Sequence, residues 1–309
     1  MPAPVALRNG YSDFFGSSML PVLEEIFRAE VAMHPSRREA LMKVVSWDRD
    51  IYQSSELHDV DLFDAVAEGA EYNFKRSKQG ANKTLVVAKY GLGVSISEEA
   101  VEDGKLDMIG DMVRKLGRSA KESQEIQAMD LFNNGFGSVT TADGVALFHA
   151  SHTLPSGGTF RNRPSTYADL SQTSLDTAIA DFETIFVGDS GIIYHLKPKT
   201  LLVHSNSRRY AHELIGSELK PDSMENNMNS LKGEGLSVIS SPHLTDTDAW
   251  FLLATPVETG LRIISRKPIE TKAAGPDVGF ASDSIYYKSR YREVVGALHA
   301  YGAYGNSGN

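Results

Sequence analysis

KLDMIGDMVRKLGRSAKESQEIQAMDLFN, residues 105–133, is the stretch on which the fold turns. Ile109, Met112, Val113, Leu116 and Ala120 recur at the i, i+3, i+4, i+7 spacing of one helix face, and Ile126, Met129 and Phe132 continue it. Just upstream, Ser95-Ile96-Ser97-Glu98-Glu99 supplies capping serines and first-turn acids, and Asn133-Asn134-Gly135 supplies a stop. The pattern predicts one unbroken helix, about 28 residues and about 42 Å long at 1.5 Å per residue. A helix of that length serves as the backbone of a domain, and its apolar stripe needs a cover.

The cover is predicted from the far end of the chain. Residues 255–309 return to strands, at Leu261–Ser265, Ser284–Lys288 and Glu293–Leu298. Between helix and tail, 136–170 reads as an ordered glycine-, serine- and threonine-rich loop. A block of short alternating elements follows: a helix over Leu175–Phe186 closed by Gly188, strands Thr200–His204, Leu236–Ser240 and Ala249–Ala254, and a helix from Ser207 to Ile215 stopped by Gly216. That α/β block, 166–254, reads as self-contained, so the tail strands are left to pack on the long helix. The domain around the helix is therefore discontinuous, 96–165 with 255–309, and the α/β unit is inserted in it. The class is α+β.

On the N-terminal side, Pro2, Pro4, Pro21 and Pro35 break residues 1–45 into an arm with one helix at about 22–33. Residues 46–71 carry Asp48, Asp50, Glu56, Asp59, Asp61, Asp64, Glu68 and Glu71 against the single base Arg49. Residues 72–97 reverse the sign, with Lys75, Arg76, Lys78, Lys83, Lys89 and no acid. Tyr72–Arg76 and Thr84–Ala88 alternate as strands, with a turn over Ser77–Asn82. The expectation is a long hairpin over 46–95 with one acidic and one basic limb. A lone hairpin is marginal in water. Either its charges pair internally or it docks on a neighbouring subunit, where Asp59, Asp61, Asp64, Lys75, Arg76 and Lys78 meet opposite charges.

Composition narrows the classes of function. Net charge is −9 with 41% hydrophobic and 23% charged residues, a soluble globular balance that argues against a dedicated nucleic-acid binder. With no cysteine, disulfides, thiolate metal sites and cysteine nucleophiles are excluded. Met1–Arg8 lacks a signal-peptide layout, and no apolar run reaches the roughly 18 residues that span a bilayer.

Catalytic motifs fail one by one. Gly188-Asp189-Ser190-Gly191 is followed by Ile192 where a chymotrypsin-type serine motif needs glycine, so it reads as a turn. His212-Glu213 opens like a zinc-protease helix, but Gly216 holds the place of the second ligand. His149 and His152 lie three apart in a loop, with Asp143 the nearest acid. Gly91-Leu92-Gly93 lacks the third glycine of a dinucleotide loop. No enzyme activity and no cofactor are expected; a hydrolase built on His149, His152 or His204 is the remote alternative.

The order of parts resembles the Hong Kong 97-type phage major capsid protein, and within it the major head subunit family of Mu-like prophages. The residues that carry the resemblance are Ala88-Lys89-Tyr90-Gly91-Leu92-Gly93-Val94-Ser95-Ile96-Ser97-Glu98-Glu99 entering the helix, Asp143–Phe148 with Ser151-His152 and Gly157-Gly158, and Tyr286–Tyr291. The resemblance implies a Hong Kong 97-like fold: an N-terminal arm (1–45), an E-loop hairpin (46–95), a P-domain with the spine helix (96–165 and 255–309) and an A-domain (166–254). It implies self-assembly into hexamers and pentamers of an icosahedral shell enclosing double-stranded DNA without sequence-specific binding. It further implies a separate scaffold, a portal, a maturation protease, no membrane, and assembly in the host bacterial cytoplasm. An encapsulin-like nanocompartment shares the fold and stands as the alternative. Segment 216–235 is expected to be a mobile axial loop. Lys78 and Asn82 are of the types that cross-link in some relatives, but nothing in the sequence makes either reactive.

Overall fold

The computed structural model describes residues 19–97, 99–100, 103, 106–218, 228–274 and 284–309. Helices α1 (Leu20–Met33) and α2 (Arg38–Leu41) lead into strands β1 (Lys43–Ser46), β2 (Ile51–Leu57), β3 (Gln79–Val86) and β4 (Ala88–Ser97). The long helix α3 spans Leu106–Asn133, 28 residues, as its periodicity predicts. Its stripe runs through Ile109, Val113, Leu116, Gln124, Ala128 and Leu131, all buried. Ile126, expected on the stripe, is 41% exposed; it lies off the i, i+7 row, and polar Gln124 takes the inward place.

Two sheets flank the helix. In the first, the order is β1, β10 (Leu261–Ala274), β11 (Ser284–Ala297), β4, antiparallel except for the β1–β10 pair. The two tail strands expected near 284–288 and 293–298 are one 14-residue strand. Pro268, which cannot donate to a ladder, stands where the β10–β11 register shifts, between Lys267 and Glu270. One face of this sheet meets α1 and the first half of α3 through Phe27, Ile96, Ile109, Val113, Ile285 and Tyr287. The second half of α3 packs Met129 and Phe132 against Leu202, Phe251 and Ile263.

The inserted unit contains α4 (Gln172–Thr184), β7 (Thr200–His204), α5 (Arg208–Gly216), β8 (Ser237–Ser241) and β9 (Trp250–Leu253). A capping box between Ser171 and Ser174 starts α4. The unit is not self-contained. Its sheet, in the order β12-β9-β7-β8, takes its edge strand β12 (Ala303–Asn306) from the chain's last residues. The loop before it, with the short strands β5 (His152–Thr153) and β6 (Thr159–Phe160), is tied by buried Asn162. The Asn162 side chain donates to the carbonyls of Leu147 (2.7 Å) and Ala303 (3.1 Å) and accepts from the His149 amide (2.8 Å).

The hairpin differs most from expectation. Its pairing runs from Ile51↔Val86 to Leu57↔Gln79, and β4, expected in its basic limb, belongs to the body. Tyr72–Arg76 forms no strand: 58–78 is an irregular excursion, because that alternation has no surface to pack on. Gly80 sits within β3 and not in a turn; a Cβ there would lie 2.4 Å from the His58 ring.

Candidate assembly interface

The root of the hairpin is fixed at three places. On the sheet, Leu85 and Val87 pack on Ile264 and Leu298, with Tyr52, Val45 and Trp47 around them. Gly296 makes room for this seat, since a Cβ there would come 2.6 Å from the Leu85 methyl. At the second place, Lys83 Nζ donates to Thr140 O (2.7 Å) and Oγ1 (3.0 Å), and burial lowers its amine below the ordinary lysine range. Glu56 and buried His58 stand beside this contact, and burial raises the Glu56 carboxyl. Facing them, Asp143 pairs with His152 Nδ1 at 2.7 Å. Burial opposes the Asp143 charge, but hydrogen bonds from His152 and Thr141 outweigh it and hold the carboxyl below its usual value.

The third place is the turn 188–194. Asp59 accepts hydrogen bonds from Tyr194 Oη and from Ser190 Oγ (3.2 Å). Lys78 pairs with Asp189 at 3.0 Å, and Asp189 also accepts from the Ser156 amide at 2.7 Å. The Ser156 hydrogen bonds, with Lys78 beside them, bring the Asp189 carboxyl down to about 2. The Gly188–Gly191 motif thus works as a docking turn, with Gly191 at φ 80°.

Four more of the six charged candidates are accounted for beyond this root. Lys75 reaches Asp61 at 3.2 Å and Asp64 at 3.4 Å across the excursion. Arg76 is exposed and makes no ion pair among the described residues. Within one chain, then, Asp59, Asp61, Asp64, Lys75 and Lys78 are met by partners of the same chain, and the acidic and basic limbs meet each other. Asn82 Oδ1 accepts from Ser55 Oγ at 2.6 Å.

Counting charges missed a stronger feature. Leu62 is 65% exposed, Phe63 106%, Tyr72 74% and Phe74 93%. Fully burying one such side chain is worth about 1.5–3 kcal/mol, so the outer hairpin carries a large unspent apolar surface. Its signal was present in Asp61-Leu62-Phe63-Asp64, an apolar pair bracketed by acids, and in the Tyr72/Phe74 alternation that reads as a strand.

The histidines of the hydrolase reading have structural partners. His152 Nε2 lies 3.1 Å from Asn162 Oδ1, His149 Nδ1 lies 2.9 Å from Ser151 O, and His204 Nδ1 accepts from the Asn206 amide at 3.1 Å. Of the expected axial segment 216–235, residues 219–227 lie outside the described residues; its ends are tied by the Lys232–Glu218 pair (2.8 Å) and by Asn229, which donates to Leu214 O at 2.6 Å.

A family described as phage capsid protein matches residues 81–306. No curated protein matches the sequence. Among solved structures, the virus-like particle from Pyrococcus furiosus is similar at a TM-score of 0.54 and 11% identity, over 94% of this chain and 99% of that one. Microbacterium phage Oxtober96 gives 0.56 and 12%, over 89% and 92%. The procapsid of bacteriophage JBD30 gives 0.52 and 14%, over 98% and 75%. The family match favours a phage shell over the nanocompartment. A long spine helix, an outreaching hairpin and an inserted α/β unit, in a chain matched to that family over most of its length, make this a member of the phage capsid protein family, a shell-forming major capsid protein of the Hong Kong 97-type fold found in the virion capsid.

Proposed function

We propose that copies of this chain form hexamers and pentamers that tile an icosahedral shell around double-stranded DNA, with no reaction catalysed and no sequence-specific contact to the DNA. The observation that supports this reading is the bare outer hairpin. Phe63, Tyr72 and Phe74 extend from a root anchored on three sides, and among the described residues no element of their own chain covers them. A rigid root and an apolar tip make a heterologous contact, which closes into rings when the rotation permits.

In this reading 1–45 is the arm, the hairpin outward from β2 and β3 is the E-loop, α3 and the first sheet are the P-domain, and the inserted unit with β12 is the A-domain grouped about the local axes. Each subunit buries more than the roughly 1,600 Å² of a standard interface, divided among several weak contacts. Exposed charges of the outer excursion, Asp61 and Asp64 against Lys75 and Arg76, exchange with neighbours at about 0.2–1 kcal/mol each and set register, while Asp59 and Lys78 hold the root to the turn 188–194. A scaffold, a portal and a maturation protease are its partners, and assembly takes place in the host bacterial cytoplasm. Electron microscopy of the purified, concentrated protein tests the reading. Closed particles or rings are expected; a lone monomer at every concentration overturns it.

A further inference from the structure

A groove of about 820 Å³ lies between the root of the hairpin and the inserted unit. Alternation along β2 turns Tyr52, Ser54 and Glu56 to one half-buried face, while Gln53, Ser55 and Leu57 stay exposed. Tyr52 and Glu56 line the groove, together with Tyr194 of the docking turn and with His299 and Tyr301 from the segment that leads into β12. Glu56, His299 and Tyr301 are shared with a second, smaller space. This is a recess of about 20 Å³, whose other walls include His58, Asp143 and His152. It has room for one group the size of a water molecule.

Two of the shared walls hold polar atoms that the chain does not use. Tyr301 is 8% exposed, with its ring stacked on Phe160 (centroids 4.6 Å apart) and edge-on to Tyr194 (5.1 Å). Its Oη is shut from solvent and has no hydrogen-bond partner among the described residues. Native folds rarely leave a buried hydroxyl so. The Glu56 carboxylate has His58 Nε2 at 3.8 Å, beyond hydrogen-bond reach. The surroundings are negative. Burial, with Glu56, Tyr194, Asp59 and Asp189 around it, raises the Tyr301 hydroxyl far above the ordinary tyrosine range. Asp189 is answered by Lys78 and Asp143 by His152, but Glu56 and Asp59 have no such cation at contact distance among the described residues. Of the cations that line the groove, Arg262 turns its Nη1 to the carbonyls of Leu261 (2.8 Å) and Pro256 (3.3 Å), and Lys43 shares the lining with Glu258.

We propose that the recess and groove bind a primary alkylammonium ion, its head held by Glu56 and Tyr301 Oη and its chain lying along the groove. An ammonium head carries three donors and no acceptor. It is about the size of a water molecule, so it fits the recess, and it brings both the charge that Glu56 lacks and the donor that Tyr301 Oη lacks. The rings of Tyr52 and Tyr194 suit the charge and the alkyl chain alike. An anion is refused by Glu56 and Asp143. A metal ion is not the occupant, because among the described residues no three histidine, aspartate or glutamate side chains converge as a ligand set. Once bound, the ion links β2 of the hairpin to the segment before β12, a fourth tie at the hairpin root. The site lies within one chain and does not rest on the shell-forming reading.

Three probes of related size test the site: n-butylammonium, neutral 1-butanol and the bulky cation tetramethylammonium. Each is titrated against the purified full chain by ligand-observed nuclear magnetic resonance at about 0.15 M salt, where attraction to the surface of a chain of net charge −9 is screened beyond about 8 Å. Saturable binding of n-butylammonium, with a Kd of about 1 mM or below, is expected. The alcohol lacks the charge and tetramethylammonium is too wide for the recess, so neither is expected to saturate. Glu56→Gln and Tyr301→Phe, checked for folding by circular dichroism, are each expected to weaken n-butylammonium by about tenfold or more. No saturable binding by the parent overturns the proposal, and so does parent-like binding by both folded variants. Equal binding of tetramethylammonium overturns it in favour of general attraction to an acidic surface, and equal binding of the alcohol in favour of an apolar groove without ammonium recognition. Where a variant fails to fold, the order of the three probes on the parent decides.

Discussion

Replacing Glu293 with alanine takes the acid out of a buried pair that joins three elements. Glu293 lies on β11 with its side chain 1% exposed. It accepts from Arg38 Nη1 of α2 at 2.6 Å and from Gln124 Nε2 of α3 at 3.0 Å. Removal leaves the Arg38 guanidinium buried and uncompensated, a loss of about 3–5 kcal/mol. Unfolding entropy of about 2.1 cal/mol/K per residue, over 309 residues, converts this to a fall in Tm of about 5–8 °C. The partner variant, Arg38→Met/Glu293→Leu, removes both charges and is expected within about 1 kcal/mol of the parent, or above it. The reason is that burial raises the Glu293 carboxyl even with Arg38 beside it, so desolvation outweighs the attraction. The folded value lies above the unfolded one; this site's stabilisation is therefore complete at acid pH and is lost as pH rises through the folded value. Urea unfolding of the unassembled subunit measures all four corners of the cycle. A Glu293→Ala loss below about 1 kcal/mol, or a double variant as poor as the two single losses added, would refute the reasoning.

The triple reversal Lys75→Glu/Arg76→Glu/Lys78→Glu cuts the contacts to Asp61, Asp64 and Asp189; the exposed Lys75 pairs hold about 0.2–1 kcal/mol each, and the loss at buried Asp189 loosens the root of the hairpin without unfolding the body, so the subunit stays folded while assembly stops or misdirects, and normal shells in the microscope reject that role. His299 is half-buried, and its desolvation, with Arg262 nearby, lowers its imidazole from 6.5 to about 4. Its neutral form is the one the fold accepts, so stability is full above pH 6.5 and declines as pH falls toward 4, by up to about 1.4 kcal/mol per unit; His299→Phe flattens that slope, and an unchanged slope in urea titrations contradicts the assignment. Phe132, fully buried beside Phe251 with ring centroids 5.2 Å apart, holds α3 to the second sheet; Phe132→Ala costs about 3–5 kcal/mol, read as a lower urea midpoint.

The long helix, the alternating strands and the charge reversal between 46–71 and 72–97 were legible because each is local. Periodicity of 3.6 or 2 and the sign of neighbouring side chains are properties of adjacent residues. The resemblance to a capsid layout came from the order of those local elements. Tertiary structure alone decided which partner each element takes. Ala88–Ser97 reads as the hairpin's second limb but pairs with β11, because ten residues of ladder and a helix-covered face outweigh the continuation of an unsupported strand. Ala303–Asn306 closes the sheet of the inserted unit from the far end of the chain, a pairing no window of sequence contains. Gly80 reads as part of a turn and Gly296 as a position within a strand, yet each is an empty space filled by a side chain remote in sequence, His58 and Leu85. At the candidate interface, the charges were visible in the sequence and the apolar tip was hidden in plain residues. Leu62, Phe63, Tyr72 and Phe74 become a surface only because the fold leaves them exposed among the described residues. Burial depends on all the neighbours at once, whereas propensity depends on the nearest few, and that is why the sequence specified the parts and the tertiary structure specified their contacts.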